Sequence, residues 1–226
     1  MSRNTWAWDA HAAAAIAQSP AGPLEPPLRM EWTQRPGIGP GAEILGGTLA
    51  GRRIVELGCG AGRNTAHLAA AGAIVTGVDH SPGQIHRARA HYAHTGATFV
   101  RAGATVHLTQ TTKRLDVIVS VFGAIGTTEP SPILAHCSRR LTRCGVLAFA
   151  VPHPQRTGSL PTGPRTRVQV TLPNGTSGVL QHWDIDTSVW TRASNQAGLR
   201  VTSVQDLFAP ADARWPTTLL ITARKP

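Results

Sequence analysis

Two carboxylates and three alternating glycines form the part of this sequence with the clearest chemical potential. Glu56 ends an apolar run and precedes Gly58, Gly60 and Gly62, after which a helix-competent segment begins. Glycine has no Cβ, so a loop with this spacing can turn sharply and bring its backbone close to a ligand. Asp79 ends the next apolar run, at roughly the twenty-residue distance expected of an acid that binds a ribose diol. The pattern predicts a strand, a tight turn and a helix that together hold a nucleotide-type ligand.

The glycine spacing distinguishes two kinds of nucleotide ligand. A dinucleotide fingerprint requires G-x-G-x-x-G, with the third glycine packing beneath a pyrophosphate, whereas this chain has Gly58-x-Gly60-x-Gly62. Glu56 would repel a pyrophosphate, but it suits a cationic ligand. The ligand expected therefore has ribose hydroxyls and a positive centre and needs no phosphate cradle. S-adenosylmethionine fits that description.

The elements around the loop alternate between strands and helices. This alternation implies parallel pairing with helices on both faces of a sheet, and the Val- and Ile-rich strands fit a sheet that is buried on both sides. Ligands of such sheets bind at the carboxyl ends of strands, where Glu56, Asp79, Gly103, Ser120 and Pro152 fall. Strands are predicted over 53–57, 73–78, 97–100, 115–121 and 145–151, and helices over 64–71, 82–94, 105–111 and 131–141.

The N-terminal part of the chain lies outside this alternation. A helix is predicted over residues 4–18, followed by a proline-rich passage, so residues 1–40 are expected to form an N-terminal helical cap. A short helix is predicted over 41–49, before the first strand. We expect one domain over residues 1–226, in which 41–226 form the core.

A second departure from the alternation follows the fifth strand. Residues 165–172 and 178–183 alternate in hydropathy around the turn signal Pro173-Asn174-Gly175, which predicts a β-hairpin inserted over 165–183. The chain then returns to a helix over 187–196, with Gly198 as its C-cap. Closing strands are predicted over 199–207 and 217–223.

Four segments resemble the ordered motifs of class I S-adenosylmethionine-dependent methyltransferases. Within that class the likeness is to the small-molecule branch of ubiquinone/menaquinone-type and natural-product enzymes. A glycine loop alone would be weak evidence. A loop, an acid at the end of the next strand and two further strands in the right order are much more specific. The segments are 55–65, 77–85, 115–122 and 141–147, and the likeness extends over about residues 40 to 225.

The resemblance implies both a fold and an activity. The fold is an α/β, Rossmann-like, seven-stranded and mostly parallel sheet with an antiparallel last strand, to which this chain adds the N-terminal helical segment and the hairpin. The activity is methyl transfer from S-adenosylmethionine to a small-molecule acceptor in a biosynthetic pathway, with S-adenosylhomocysteine as product. Asp79 would accept the ribose hydroxyls, and Glu56 would orient the loop and attract the methionine ammonium group. The expected cofactor-binding residues are Glu56, Gly58, Cys59, Gly60, Gly62, Asn64, Thr65, Asp79, His80, Ser81, Gly103, Ala104, Ser120 and Phe122.

The sequence departs from the family's pattern after the third strand. Related enzymes commonly carry an Asp there that meets the adenine amino group, whereas this chain has Arg101-Ala102-Gly103-Ala104. Backbone groups of Gly103 and Ala104 are expected to replace that side chain. Gln84 is interpreted as a helix-surface or cap residue, and Asp116 as a brace for the sheet.

Two histidines are the candidates for a general base. His153 directly follows the fifth strand, between two prolines, and is expected at the mouth of the pocket. His182 lies near the end of the predicted hairpin. A neutral imidazole with a pKa near 7 could deprotonate an acceptor hydroxyl, amine or activated carbon. No set of histidines and carboxylates has metal-ligand spacing, so no metal is predicted.

The overall composition leaves the partners of the chain open. Its net charge is +10, carried almost entirely by arginines scattered along the sequence. An RNA methyltransferase is one alternative, but the Asn/Asp-Pro-Pro-aromatic motif of nucleic-acid amino-methyltransferases is absent after Ser120, so nucleic acid is not the expected partner. A second alternative is a protein that uses this fold without transferring methyl groups.

Three cysteines without ligand spacing and no apolar run long enough to span a bilayer predict a cytoplasmic protein. The oligomeric state is open, and a homodimer is one possibility.

Overall fold

The computed structural model describes residues 9–10, 22–171, 175 and 177–226. Asp9 and Ala10 are helical, but the rest of the helix predicted over 4–18 lies outside the described residues. Pro173 and Asn174 of the predicted hairpin turn also lie outside them. Within the described part of the chain, no helix is long and apolar enough to cross a membrane.

A seven-stranded sheet runs through the centre of the molecule. Its strands are β1 (Arg53–Leu57), β2 (Ile74–Asp79), β3 (Thr98–Arg101), β4 (Leu115–Val121), β5 (Leu141–Pro152), β8 (Arg200–Leu207) and β9 (Thr218–Arg224). They lie in the order β3-β2-β1-β4-β5-β9-β8, in which the first five strands pair in parallel and β9 is antiparallel to both of its neighbours. This is the fold expected from the sequence, with its last strand antiparallel.

Helices cover both faces of the sheet, because each face carries its own apolar cluster. The helices are α1 (Arg63–Ala70), α2 (Pro82–Tyr92), α3 (Ala104–Gln110), α4 (Ala124–Thr127), α5 (Pro130–Arg140) and α6 (Thr187–Gln196). Residues of α1 and α2 pack on one face together with Trp32 and Leu45. Residues of α3 to α6 pack on the other face, where Phe149 and Trp190 lie with their ring centroids 5.1 Å apart.

The structure corrects the predicted start of the fifth strand and adds one helix. β5 begins at Leu141 rather than at Gly145, since Leu141 already pairs with Leu115 before the register shifts. The short helix α4 was not predicted, because four residues carry too little periodicity to be read from a sequence. It follows β4 directly and therefore lies at the ligand-binding edge of the sheet.

The predicted hairpin forms a separate two-stranded sheet. Its strands are β6 (Arg165–Thr171) and β7 (Ser177–Trp183), paired antiparallel from Arg165 with Trp183 to Thr171 with Ser177. The guanidinium carbon of Arg165 lies 4.4 Å from the centroid of the Trp183 ring. β7 contacts α4, so the hairpin approaches the same edge of the central sheet.

Residues 22–41, which we call the strap, form neither a helix nor a strand. The strap runs over the outer sides of α2 and α1 before the 3-10 turn Ala42–Leu45. Near its start, Leu24 N donates to the backbone oxygen of His91 at 2.9 Å. Further along, Met30 and Trp32 are fully buried in the apolar cluster beneath it. The strap is thus fixed to the body without regular backbone pairing.

Candidate ligand-binding site

A cavity of about 660 Å³ opens at the carboxyl ends of β1, β2 and β4. Ten of the fourteen residues predicted to bind the cofactor line it. The other four, Gly62, Thr65, Ser81 and Ser120, lie behind the lining and hold it in place. The ten lining residues are Glu56, Gly58, Cys59, Gly60, Asn64, Asp79, His80, Gly103, Ala104 and Phe122.

The three loop glycines are needed for three different reasons. All have a positive φ, of +78° at Gly58, +53° at Gly60 and +82° at Gly62. A Cβ on Gly58 would lie 2.6 Å from the backbone of Gly123, and one on Gly62 would lie 2.6 Å from the Phe99 ring. A Cβ on Gly60 would meet nothing within 4 Å, because that glycine faces open space. The loop is therefore a cradle in which Gly60 leaves room for a ligand.

Asp79 closes the loop from the end of β2. It is 8% exposed, and its two carboxylate oxygens accept the backbone N–H groups of Gly60 at 3.0 Å and Ser81 at 2.8 Å. Burial raises the pKa of Asp79, and the two amides partly offset that effect. Each carboxylate oxygen can accept more than one hydrogen bond, so both remain available to a ligand hydroxyl. Its predicted contact with a ribose diol is compatible with this geometry.

Glu56 is the most deeply buried carboxylate of the lining, at 3% exposure. Its Oε2 accepts the hydroxyl of Thr65. Burial raises the pKa of Glu56 to about 7, against the opposing effect of hydrogen bonds from Thr65 and Asn64. A positive charge in the cavity would favour the ionised form and lower this pKa. Glu56 is therefore suited to a cationic ligand, and its contact with one stays a prediction.

Two of the predicted residues act from behind the lining. Ser81 caps α2, where its Oγ accepts Gln84 N at 3.1 Å, and its hydroxyl also donates to Asp9. Ser120 Oγ donates to the backbone oxygen of Leu57 at 2.8 Å and accepts Ile125 N at 3.3 Å. The Ser120 bonds therefore hold the end of β4 against β1 and α4, and the Ser81 bond fixes the start of α2 behind β2. Neither serine lines the cavity.

The side of the cavity near β3 presents backbone and apolar groups. Gly103 and Ala104 line it where related enzymes carry an acid, and Val106 lies beside them. His80 follows Asp79, and its Nε2 is buried without a hydrogen-bond partner among the described residues. An orphaned nitrogen in a cavity wall is a group that a polar ligand could satisfy.

Several lining residues were not predicted from the sequence. Gln84, interpreted there as a helix-surface or cap residue, is in fact 5% exposed and lines the cavity. Arg63 lines the cavity from the first position of α1. Because this position directly follows the loop, the glycine spacing could have indicated it. The proline-rich composition of the strap gave no signal for individual positions. The remaining unpredicted lining residues are Pro27, Glu31, Thr33, Gln34, Pro36, Ala61, Val78, Ala102, Thr105, Val106, Val121, Gly123, Ala124, Thr127 and Thr128.

His153 does not line the cavity, and both of its ring nitrogens are engaged. Its Nδ1 accepts Gln155 N at 3.0 Å, so in the neutral ring Nε2 carries the proton and faces Asp206 Oδ1 at 3.2 Å. Burial lowers the pKa of His153, while Asp206 opposes that shift. In this arrangement neither nitrogen offers a free lone pair, so the expected position at the pocket mouth is not observed.

His182 also lies outside the lining, within hydrogen-bond distance of Arg156. Its Nε2 is 3.3 Å from Arg156 Nη2, and burial lowers the pKa of His182. Arg156 also pairs at 2.7 Å with the buried Asp184 and donates to the backbone oxygen of His153. The structure thus brings the two histidines into one charged cluster, which attaches the hairpin to the end of β5.

Comparisons with known proteins agree with this fold. Residues 54–145 match the family described as a methyltransferase domain. The chain is 29% identical over 126 residues to the ubiquinone biosynthesis O-methyltransferase of Aromatoleum aromaticum, an alignment that covers 55% of this chain and 50% of that protein. It is 25% identical over 194 residues to the enzyme of the same name from Proteus mirabilis, covering 80% and 74%. The chain therefore spans only about half the length of the first of these relatives.

Solved structures show the same architecture. A putative S-adenosylmethionine-dependent methyltransferase from Listeria monocytogenes superposes with a TM-score of 0.65 at 18% identity, covering 81% of this chain and 95% of that one. A glycopeptide N-methyltransferase in complex with S-adenosylmethionine gives a TM-score of 0.61 at 19% identity, covering 80% and 89%.

This chain has the fold of the class I S-adenosylmethionine-dependent methyltransferases. Residues 54–145 are similar to the methyltransferase-domain family. Within the class, the matched relatives confirm the resemblance to the small-molecule branch that was predicted from the sequence.

Proposed function

We propose that this chain transfers a methyl group from S-adenosylmethionine to a small organic acceptor in a biosynthetic pathway. The observation that carries the proposal is that Glu56 and Asp79 line one cavity together with the glycine loop. One carboxylate suits a cation, and the other keeps acceptor capacity for a diol. We place the reaction in the cytoplasm, for which the free cysteines Cys59, Cys137 and Cys144 are the support.

The residues present fit this cofactor on three counts. Gly60 leaves open space above the loop, and a side chain there would fill it. Glu56 has its pKa raised by burial, so a cationic ligand would relieve an unfavourable environment. His80 Nε2 is a buried polar atom without a partner among the described residues. Gly103 and Ala104 would meet the adenine through backbone groups.

The cofactor, when bound, supplies an activated methyl carbon for in-line displacement. The protein then has to bind the cofactor and the acceptor, align them and exclude water. Asp79 would hold the ribose, Glu56 would balance positive charge, and Phe122 and the loop after β4 would form the wall near the reacting atoms. A base is needed only where the acceptor carries a proton that must leave.

His153 and His182 remain our proposed candidates for that base. Both are engaged with Arg156 or its neighbours, so either one could act only after this cluster opens toward the cavity. An acceptor that reacts as a neutral amine or as an ionised oxygen would need neither histidine.

Calorimetric titration with S-adenosylmethionine and S-adenosylhomocysteine tests the proposal. Asp79→Ala should weaken both ligands by about 2–3 kcal/mol, or roughly 30- to 150-fold, since a charged acceptor of two hydrogen bonds is lost. Asp116→Ala is the matched control, because Asp116 accepts Arg53 N at 2.8 Å at the opposite edge of the sheet. Wild-type protein that binds neither ligand would refute the proposed cofactor. Equal affinities of wild type and Asp79→Ala would refute the role of Asp79.

A further inference from the structure

Side chains of α1 and α2 hold the backbone of the strap at three points. His91 Nδ1 lies 3.0 Å from Gly22 O, and His67 Nδ1 lies 2.8 Å from Pro27 O. Asn64 makes the third attachment, at the position where the strap reaches the cavity. Of these three side chains, Asn64 alone lines the cavity.

The attachment by Asn64 is a two-point clamp on one residue. Its Oδ1 accepts the N–H of Glu31 at 3.0 Å, and its Nδ2 donates to the carbonyl of Glu31 at 2.9 Å. Both ends of the side-chain amide are used, so its orientation is fixed by the backbone it binds. Asn64 is the second residue of α1 and follows the glycine loop directly. The clamp therefore joins that loop to the strap.

Beyond the clamp, the strap closes on itself into a preformed loop. The Glu31 carboxylate accepts Gly37 N at 3.1 Å, and Thr33 Oγ1 donates to Arg35 O at 2.6 Å. The indole N–H of the buried Trp32 donates to Gly41 O at 2.9 Å. These bonds lie within the strap and do not attach it to the glycine loop. Four residues of this part of the strap line the cavity and form what we call the strap wall: Glu31, Thr33, Gln34 and Pro36.

Asn64 also acts on the carboxylate of the cavity. The Asn64 side chain also lowers the pKa of Glu56, and the next residue, Thr65, donates its hydroxyl to the same carboxylate. The other titratable groups that face Glu56 are Asp79 and the thiol of Cys59. One amide side chain is thus shared between the strap wall and the group that meets the ligand's positive charge.

We propose that Asn64 is a positioning residue that holds the strap wall against the glycine loop and thereby sets the shape of the acceptor side of the cavity. The term acceptor side rests on the proposed methyl transfer, but the clamp itself does not. Residues Thr33, Gln34 and Pro36 would then determine which acceptor fits, while Asn64 fixes where they stand.

Hydrogen–deuterium exchange of the ligand-free protein tests the clamp directly. Asn64→Ala should speed exchange in peptides covering residues 28–38 by roughly tenfold or more, because two hydrogen bonds to this segment are lost. Asn64→Asp keeps the acceptor for Glu31 N and loses the donor, so its exchange should be intermediate. His67→Ala is the matched control, since the His67 side chain does not line the cavity and its loss should affect only the segment near Pro27. Exchange over 28–38 that is unchanged in Asn64→Ala would overturn the proposal.

The pH profile of S-adenosylhomocysteine binding separates positioning from a merely structural role. Affinity should rise with pH as Glu56 ionises. Asn64→Ala should move this rise to higher pH, because the Asn64 side chain no longer lowers the pKa of Glu56. Asn64→Asp should move the rise further, because a second carboxylate then faces Glu56. His67→Ala should leave the profile in place. A profile that is the same in all four proteins would contradict the shared role of Asn64. If wild type fails to bind this ligand at all, the proposed function fails, while the exchange experiment still decides the clamp.

Discussion

Single side chains in this molecule carry charges whose state depends on the fold, and Glu56 is the clearest case. Its pKa is raised to about 7 by burial, so the folded protein holds a proton that the unfolded chain releases near its ordinary value of 4.5. The stability that this proton contributes is fully present below pH 4.5 and is lost as the pH rises through about 7. A ligand cation has the opposite preference, because it favours the ionised carboxylate.

Glu56→Gln is therefore predicted to flatten part of the pH dependence of stability. Relative to the variant, wild type should lose on the order of 3 kcal/mol of unfolding free energy between about pH 5 and pH 8, since one pKa unit corresponds to about 1.4 kcal/mol. Urea denaturation of both proteins without ligand, at several pH values, measures the difference. Parallel curves for the two proteins would show that Glu56 is already ionised in the folded state.

The same carboxylate predicts a proton linked to ligand binding. Affinity for S-adenosylmethionine should rise from about pH 6 to pH 8, with release of up to one proton near neutrality, since the bound cation lowers the pKa of Glu56. Titrations in buffers of different ionisation enthalpy count that proton. Glu56→Gln serves as the control, because it should bind without this proton release, and equal release by both proteins would assign the proton to another group.

At the scale of elements, the hairpin depends on a buried ion pair for its attachment. Asp184 is 3% exposed, and it accepts both Arg156 at 2.7 Å and the hydroxyl of Thr166 at 2.9 Å. Arg156 comes from the loop after β5, so the pair joins the hairpin to the central sheet. Removal of one partner would leave the other charge buried and uncompensated.

Arg156→Ala is accordingly predicted to destabilise the fold by about 3 kcal/mol, since the buried Asp184 would lose its cationic partner. Urea denaturation near neutral pH measures the loss. Arg165→Ala is the control, because that exposed arginine stacks on Trp183 and should cost about 0.5–1 kcal/mol. A loss for Arg156→Ala no larger than for the control would show that Asp184 is hydrated or protonated when alone.

The element scale also explains why some predicted bounds moved. β5 begins at Leu141, directly after α5, because Leu141 already pairs with Leu115. No local sequence pattern reveals this contact. The strap has no periodicity, since its backbone polar groups are satisfied by side chains such as Asn64 and His67 rather than by regular pairing. The path of the strap is therefore set by its contacts with other elements rather than by a pattern in its own sequence.

The whole molecule carries a net charge of +10, yet its cavity is lined by three carboxylates and, among its arginines, only Arg63. The positive charge is therefore not concentrated at the cavity. A charge distribution of this kind attracts polyanions without specific recognition. It gives no support to a nucleic-acid acceptor.

Binding to generic RNA is predicted to be weak and to fall steeply between low and physiological salt, because such binding depends on counterion release. Fluorescence anisotropy with an unstructured and a structured RNA, at several salt concentrations, measures this dependence. A lysine-free basic protein of similar charge is a suitable control for the non-specific level. Tight and salt-tolerant binding to the structured RNA would favour the RNA methyltransferase alternative.

The sequence by itself determined the features that arise from local physical chemistry. Alternating glycines permit positive φ angles, apolar runs of strand length predict buried parallel strands, and an acid such as Asp79 at a strand end falls at the ligand-binding edge. Only the tertiary structure decided where distant segments meet, as with Asn64 and Glu31, or His153 and Asp206. Those contacts join residues 33 and 53 positions apart in the chain, and no periodic pattern encodes them. Ten residues of the cavity lining could thus be predicted from the sequence, whereas the strap wall and the position of both histidines depended on packing between elements.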